Sequence, residues 1–260
     1  MSDCLQIKSL TNFTNGQDWR LSLLHDDPFD LLIWVTRGQG LLHTDGLRRG
    51  VGAHNAILIP HGQVFALDMG RQANGLVAII PPIHNSWGIE KAHQLRIRDA
   101  RQIAQLSGFI EAAQREISDD QPFLEAALSA HQRLIEVWVR RQISRPEHSP
   151  AKQNASIRLI SRFFANMTAP ELKGATMAQH AQQLGVTPTH LARASRTATG
   201  VTAADHLTAR LLHQTQTALI DTKLSAKDIA THLNFGSAAY FTRFVQQHTG
   251  QTPTQIRQSG

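Results

Sequence analysis

The stretch MAQHAQQLGVTPTHLARASRTATG, residues 177–200, is answered later in the chain by AKDIATHLNFGSAAYFTRFVQQHTG, residues 226–250. Laid over one another, Ala181, Leu184, Gly185 and Val186 meet Ala230, Leu233, Asn234 and Phe235 at an offset of 49 residues. After one inserted residue, Leu191, Arg193, Thr199 and Gly200 meet Phe241, Arg243, Thr249 and Gly250 at an offset of 50. Each copy holds the parts of a helix-turn-helix. The alanine lets a second helix pack close, and the leucine three residues on closes the shared core. Gly185 or Asn234 can take the left-handed conformation that ends the first helix. Thr187 and Ser237 are N-cap residues for the second helix, and Pro188 suits a first helical position. One Ala-x-x-Leu-Gly match arises by chance in any helical hairpin. Two copies at one offset favour a duplicated unit over a plain helical bundle.

Between the copies, residues 202–222 carry Leu207, Leu211, Leu212, Ala218 and Leu219 on helical spacing, with Thr202 as the cap. About 20 helical residues extend roughly 30 Å, and one turn of B-DNA separates major-groove faces by about 34 Å. A single helix of this length can therefore hold two reading heads over successive grooves of one duplex face.

The charge divides with the chain. Residues 1–143 hold 14 Lys/Arg against 15 Asp/Glu, and residues 144–260 hold 12 against 5, so the net +6 belongs entirely to the repeat-bearing part. A basic part joined to a nearly neutral one suits a polyanion-binding module fused to something else, with nucleic acid as the first candidate partner and a merely soluble basic surface as the alternative.

At 260 residues the chain exceeds one typical domain of about 100–200 residues. With 41% hydrophobic and 18% charged residues it is neither disordered nor fibrous on composition. The longest near-uninterrupted apolar stretch, residues 75–80, is far short of the roughly 18 residues that span a bilayer. The opening MSDCLQIKSL lacks a signal-peptide apolar core. A single cysteine, Cys4, excludes an intramolecular disulfide. A soluble cytoplasmic protein with no membrane partner is expected.

Residues 30–83 carry short apolar runs punctuated by glycine, DLLIWVTRGQG, LLHTDG, AILIPHG, VFALDMG and GLVAIIPP, the sequence form of a small antiparallel sandwich or barrel. From about Asp99 the period becomes helical: Leu106, Phe109, Ile110, Ala113 and Ile117, then Leu124, Leu128, Ile135, Trp138 and Val139. Residues 119–122, DDQP, break the two helices, with Pro122 expected in the first turn of the second. This hairpin is the candidate dimerisation element through Leu128, Ile135 and Trp138, although the same residues could instead cover the barrel. Residues 144–155, SRPEHSPAKQNA, read as a linker.

At this point residues 156–259 resemble the paired helix-turn-helix domain of AraC/XylS-type transcription regulators. The resemblance is carried by Phe235-Gly236-Ser237-Ala238-Ala239-Tyr240-Phe241-Thr242-Arg243 followed by Gly250-Gln251-Thr252-Pro253. Gly38-x-Gly40, Asp45-Gly46 and Ile59-Pro60-x-Gly62 resemble the cupin-like effector domain that such regulators often carry. The chain departs from the usual pattern at Asn234, where glycine is common, at Val245, where an aromatic is common, and at Gln246-Gln247, where basic residues are common. The last change removes expected phosphate contacts.

The expected fold is α+β. A cupin-like β-barrel spans residues 1–98, the helical hairpin 99–143 and the linker 144–155. An all-α domain, residues 156–260, then holds two helix-turn-helix units joined by a long helix. The resemblance implies a sequence-specific regulator that binds double-stranded DNA, responds to a small-molecule effector and forms a possible homodimer. Whether it activates or represses stays open.

On the first recognition helix, Thr189, Ala192, Arg193 and Arg196 share one face, opposite Leu191. The resemblance places Thr189, Ala192 and Arg193 toward base edges and Arg196 near phosphate. Arginine pairs bidentately with guanine O6 and N7, so Arg193 is the principal candidate reader; its alternative is a solvated ion pair. On the second helix the exposed set is Ala238, Ala239, Thr242 and Arg243, whose alanines offer only small apolar contacts, so shape readout gains weight there. Tyr240 is either a DNA contact or a ring packed at the helix junction. His190 and His206 read as cap or surface positions.

The barrel raises a rival, a metal-dependent cupin enzyme. Metal cupins need two or three histidines and a carboxylate converging inside the barrel. His43 stands without a His-x-His neighbour, and Phe65 occupies the place of a ligand histidine, leaving His54 and His61 with nothing at ligand spacing. No enzyme activity, cofactor or metal is therefore expected. An apolar effector cavity is the expectation, lined by Trp34, Leu42, Phe65 and Leu67 with His43 and His61 as polar anchors; a filled, ligand-free core is its alternative.

Overall fold

The computed structural model describes residues 4–70, 72–81, 88–119, 121–148 and 154–259. Its strands are β1 (Gln6–Ser9), β2 (Asp30–Arg37), β3 (Gln39–Thr44), β4 (Leu47–Gly52), β5 (Asn55–Ile59), β6 (Phe65–Met69), β7 (Asn74–Ile80) and β8 (His93–Arg96). They form two antiparallel sheets, ordered β1-β7-β2-β5-β8 and β4-β3-β6. Short helices α1 (Leu10–Phe13) and α2 (Trp19–Ser22) precede β2. Asp45 (φ 50°) and Gly46 (φ 68°) make the two-residue turn between β3 and β4, both left-handed as a type I′ hairpin requires.

Alternation along β2 sorts two cores. Leu31, Ile33 and Val35 turn toward the second sheet and pack with Leu42, Ile57, Phe65 and Leu67. Leu32 and Trp34 turn the other way, onto α3 (Ala100–Asp119) and α4 (Leu124–Ile143). There they meet Leu106, Ile110, Leu128, Ile135 and Trp138, all at most 1% exposed. The helical hairpin thus covers the outer face of the five-stranded sheet, and the residues read as a dimer seam are spent on that covering. Pro122 lies ahead of α4, not within its first turn, because Phe123 adopts a left-handed conformation (φ 68°) that delays the helix to Leu124.

Of the expected linker, residues 149–153 lie outside the described residues, as does Asp120 of the expected break. Pro146–His148 forms a 3-10 turn, and Asn154 accepts the Ile157 N–H to cap α5 (Ala155–Asn166) at the linker's last residue. The remaining helices are α6 (Met177–Gln183), α7 (Pro188–Thr199), α8 (Ala203–Asp221), α9 (Ala226–His232), α10 (Ala238–Thr249) and α11 (Pro253–Ser259). They bury two cores. One joins Ile160, Phe163 and Phe164 of α5 to Ala181, Leu184 and Leu191; the other joins Leu212 and Leu219 of α8 to Ile229, Phe241, Phe244 and Ile256.

The barrel is fastened to this helical part. Leu24, Val64 and Ala66 enter the first helical core, and Leu23 packs on the second. The Asp45-Gly46 turn presses on α5, where a Cβ on Gly46 would sit 2.6 Å from Ser161 N and 2.9 Å from Ile157 O. Arg20 grips Asp221 at the end of α8 with two bonds of 2.8 and 3.0 Å, and Arg210 of α8 bonds Asp26 at 2.6 Å.

Candidate DNA-binding interface

The two repeats fold as two helix-turn-helix units, α6–α7 and α9–α10, held by α8. Thr176 and Thr202 form capping boxes with Gln179 and Asp205. Gly185 (φ 70°) and Asn234 (φ 58°) take the left-handed geometry that turns the chain between the helices of each unit. Asparagine is among the few side chains that tolerate this region, which is how Asn234 replaces glycine. Thr187 accepts the His190 N–H at 3.2 Å, and Ser237 accepts the Tyr240 N–H at 3.1 Å. The two recognition helices, α7 and α10, start and stop at equivalent points, each ending on a left-handed glycine, Gly200 and Gly250.

One face of each recognition helix is core. Leu191 and Ala194 are buried on α7, as are Phe241, Phe244 and Val245 on α10. The other face is open. Thr189, Arg193 and Arg196 are exposed and Ala192 half-buried, while on α10 Ala238, Ala239, Tyr240 and Arg243 are exposed and Thr242 half-buried. A hollow of about 370 Å³ is bounded by Ala192, Arg193, Arg196, Thr197 and Thr202, so both arginines overlook one recess. Arg193 Nη2 lies 3.4 Å from His190 Nδ1, a long contact that leaves the guanidinium free to turn outward. Tyr240 is 52% exposed with its ring edge near Phe235, centroids 5.9 Å apart, so it belongs at once to the junction and to the surface.

α8 spans 19 residues, about 28 Å at the helical rise. Its first turn is fixed electrostatically: Asp205 accepts from the Thr202 hydroxyl and backbone N–H, and these bonds hold its carboxyl below the usual carboxylate range. His206 is not the cap or surface residue expected. It is 4% exposed, donor or acceptor to Thr199 Oγ1 at 2.9 Å, and T-shaped to His43 of the barrel at 6.0 Å. Burial first, and the neighbouring His43 second, push its pKa down to about 4.

The residues assigned to the effector cavity separate. Leu42, Phe65 and Leu67 do line the interior between the sheets, where they are at most 1% exposed among other apolar side chains. Trp34 does not, a correction that follows from the one-residue alternation of β2. Its indole faces the hairpin and its Nε1–H donates to Ser107 Oγ at 3.1 Å. His43, one residue on from Leu42, also points away from the interior, toward His206. His61 stays at the rim, its Nδ1 2.9 Å from Asp30 Oδ1. A hollow of about 350 Å³ opens at the barrel mouth, with Leu10, Leu21, Leu67, Asp68 and Met69 in its wall. Among the described residues, no group of three or more His, Cys, Asp and Glu comes together as metal ligands would.

Sequence reasoning missed the residues that join barrel to DNA-binding units. Arg20, Asp26, His25, Arg210 and His213 meet across more than 180 positions of sequence, and no local pattern marks them. Arg48 of β4 also escaped notice; it reaches beside Gly200, at the C-terminal end of α7.

Residues 180–259 match the family model described as a helix-turn-helix domain. No curated protein matches the chain. Among solved structures, an apo form of ToxT from Vibrio cholerae strain SCE256, carrying one substitution, is similar at 11% identity, covering 99% of this chain and 97% of that one with a TM-score of 0.46. Wild-type ToxT from the same strain, bound to an unsaturated fatty acid, is similar at 13% identity, 98% and 95% coverage and a TM-score of 0.40. The AraC-like transcriptional activator CuxR is similar at 14% identity, 80% and 73% coverage and a TM-score of 0.35. Among the described residues no helix is long and apolar enough to cross a membrane. With two capped, open-faced units at the ends of one strut, and with the family model running from within the first unit through the second, residues 180–259 of this chain form a helix-turn-helix domain.

Proposed function

We propose that the protein is a sequence-specific DNA-binding transcription regulator. It sets the first turns of α7 and α10 into successive major grooves of one duplex face. One observation carries this reading: the two recognition helices have the same cap, length and buried face, and both leave the opposite face open. Arg193 reads a base edge, with Thr189 and Ala192 beside it, and Arg196 holds phosphate. On α10, Arg243 and Thr242 flank a small apolar surface made by Ala238 and Ala239, so the second half-site is discriminated more by duplex shape than by hydrogen bonds. Tyr240 contacts the backbone at its edge.

The barrel binds a small-molecule effector at its mouth, where half-buried Met69 and the buried Leu67 beneath it are in the wall, while Leu42 and Phe65 pack behind them. Two copies of the chain pair in the cytoplasm through the outer stripe of α4. Leu134 and Val137 lie there three residues apart, 46% and 45% exposed, and Phe123, 86% exposed, stands just ahead of the helix. The test is selection from random duplexes followed by footprinting across a salt series. Two protected patches about one helical turn apart, with affinity falling steeply as salt rises, are expected. A single short footprint, or protection without sequence preference, would refute the two-headed reading.

A further inference from the structure

α8 floors a groove of about 660 Å³ at the place where three parts of the chain meet. Met177 and His180 come from the first helix-turn-helix unit, Phe235 and Tyr240 from the second, and Asp26 from the barrel. The volume lies within the roughly 300–1,000 Å³ usual for small-molecule sites. Its surface is apolar over Met167, Leu172, Leu207, Leu211 and Phe235. Its charged groups are two cations, Lys173 and Arg210, against the one carboxylate of Asp26.

Arg210 is the group around which a ligand would be organised. Its side chain is only 12% exposed and bonds Asp26 through Nη2. A guanidinium carries five N–H donors. Among the described residues no other hydrogen bond is formed by this one, so a desolvated cation at the groove wall is held by a single partner that is itself one-third exposed. His180 adds no positive charge, since burial and the nearby Arg210 hold its pKa below the usual histidine range. An apolar floor beside a buried, under-used guanidinium favours a molecule with a flat or extended apolar body and one negative head group, because an anion can bond such a fork at two points.

We propose that this groove binds an amphipathic organic anion. Its apolar body lies on Leu207, Leu211 and Phe235, and its head group takes Arg210 from Asp26. The site is distinct from the barrel mouth and goes beyond the effector reading given above. Its occupant touches both helix-turn-helix units and weakens one of the bonds that tie α8 to the barrel. A ligand that binds the released arrangement more tightly than the fastened one therefore shifts the chain toward release.

The probe is 8-anilinonaphthalene-1-sulfonate, titrated by fluorescence into the full-length protein, with near-ultraviolet circular dichroism confirming that each variant is folded. Saturable one-site binding is expected for the unaltered protein. Arg210→Gln should weaken it about tenfold or more, the scale of one charged hydrogen bond. Exposed Lys173→Gln should weaken it less, and Leu211→Trp should abolish it by filling the floor. Asp26→Asn should tighten binding, because it removes the competitor for Arg210. This opposite sign separates a ligand site from a merely structural ion pair, whose two halves would behave alike. The proposal is overturned if no saturable binding occurs, if Arg210→Gln and Asp26→Asn leave affinity unchanged or move it in the same direction, or if Met69→Trp at the barrel mouth abolishes binding while Leu211→Trp does not. Footprinting the same proteins without the probe keeps the two ideas apart: DNA protection without probe binding removes the groove site and leaves the regulator standing.

Discussion

Acid should loosen the attachment of the barrel to the strut, and the size of the effect follows from two histidines of α8. His213 is enclosed by the barrel: its ring stacks on His25 at 4.5 Å and 10°, Trp19 meets it edge-on at 5.4 Å, and its Nε2–H donates to the Arg20 carbonyl at 3.2 Å. Burial, then His25, with smaller contributions from Arg20 and Arg210, pushes its pKa down to about 3 against the opposing pull of the carbonyl. His206, two turns earlier, sits at about 4 for the reasons given above. Both values lie below the free value of 6.5, so below pH 6.5 the folded state binds fewer protons than the opened one. Their contribution is complete above pH 6.5. It falls by about 1.4 kcal/mol per pH unit for each group as the pH drops, until the folded values are reached. At pH 5 this amounts to roughly 2 kcal/mol apiece, about 4 kcal/mol together, a large part of a total stability of about 5–15 kcal/mol. His43, His93, His148 and His180, whose pKa values burial also lowers, act in the same sense. Asp45, raised by burial, acts in the opposite sense. Urea unfolding at pH 7.5 and pH 5.0 measures the loss. In His206→Gln/His213→Gln the difference between the two pH values should shrink by about 4 kcal/mol. An equal loss in the unaltered protein and the double variant would refute the assignment of this pH dependence to α8.

Arg193→Ala should cost about 1–3 kcal/mol of specific affinity and relax the preference at one base position, whereas Arg196→Ala should weaken all duplexes alike and lower the salt slope by about one; quantitative footprinting over a salt series separates them. Gly46→Ala forces a side chain into a left-handed turn and against the α5 backbone at 2.6 Å. It should destabilise the chain by about 1–3 kcal/mol and hasten proteolysis between residues 144 and 155, read by thermal melting and by mapping the cleavage. Leu134→Asp on the open stripe of α4 should turn a dimer into a monomer in sedimentation without lowering the melting temperature of the monomer, whereas Leu128→Asp, directed into the barrel covering, should unfold the N-terminal part.

The helix-turn-helix units were legible in the sequence because everything that makes them is local. A threonine or serine cap, a left-handed glycine or asparagine and an alanine-leucine pair act within some 25 residues, and the duplication separates them from chance. Strands β2, β3, β5, β6 and β7 were legible for the same reason, since glycine and the Asp45-Gly46 turn bound their apolar runs; β1, β4 and β8 carry no such run and take their places only by pairing with β7, β3 and β5. The direction in which those runs face was not. Leu31 to Val35 are apolar at every position, so alternation carries no mark of inside and outside. Trp34 was drawn into a cavity that it turns away from because only the docking of α3 and α4 decides which face of β2 is which. Likewise Leu128, Ile135 and Trp138 form an apolar stripe that suits a partner helix as well as a sheet, and the sheet took them. His206 and His213 look like polar interruptions on an amphipathic helix until the barrel closes over them. Sequence alone settles the units whose contacts lie within one or two turns of chain. Which surfaces those units share was left to the folded arrangement, because burial of a long-range contact depends on a partner that no neighbouring residue specifies.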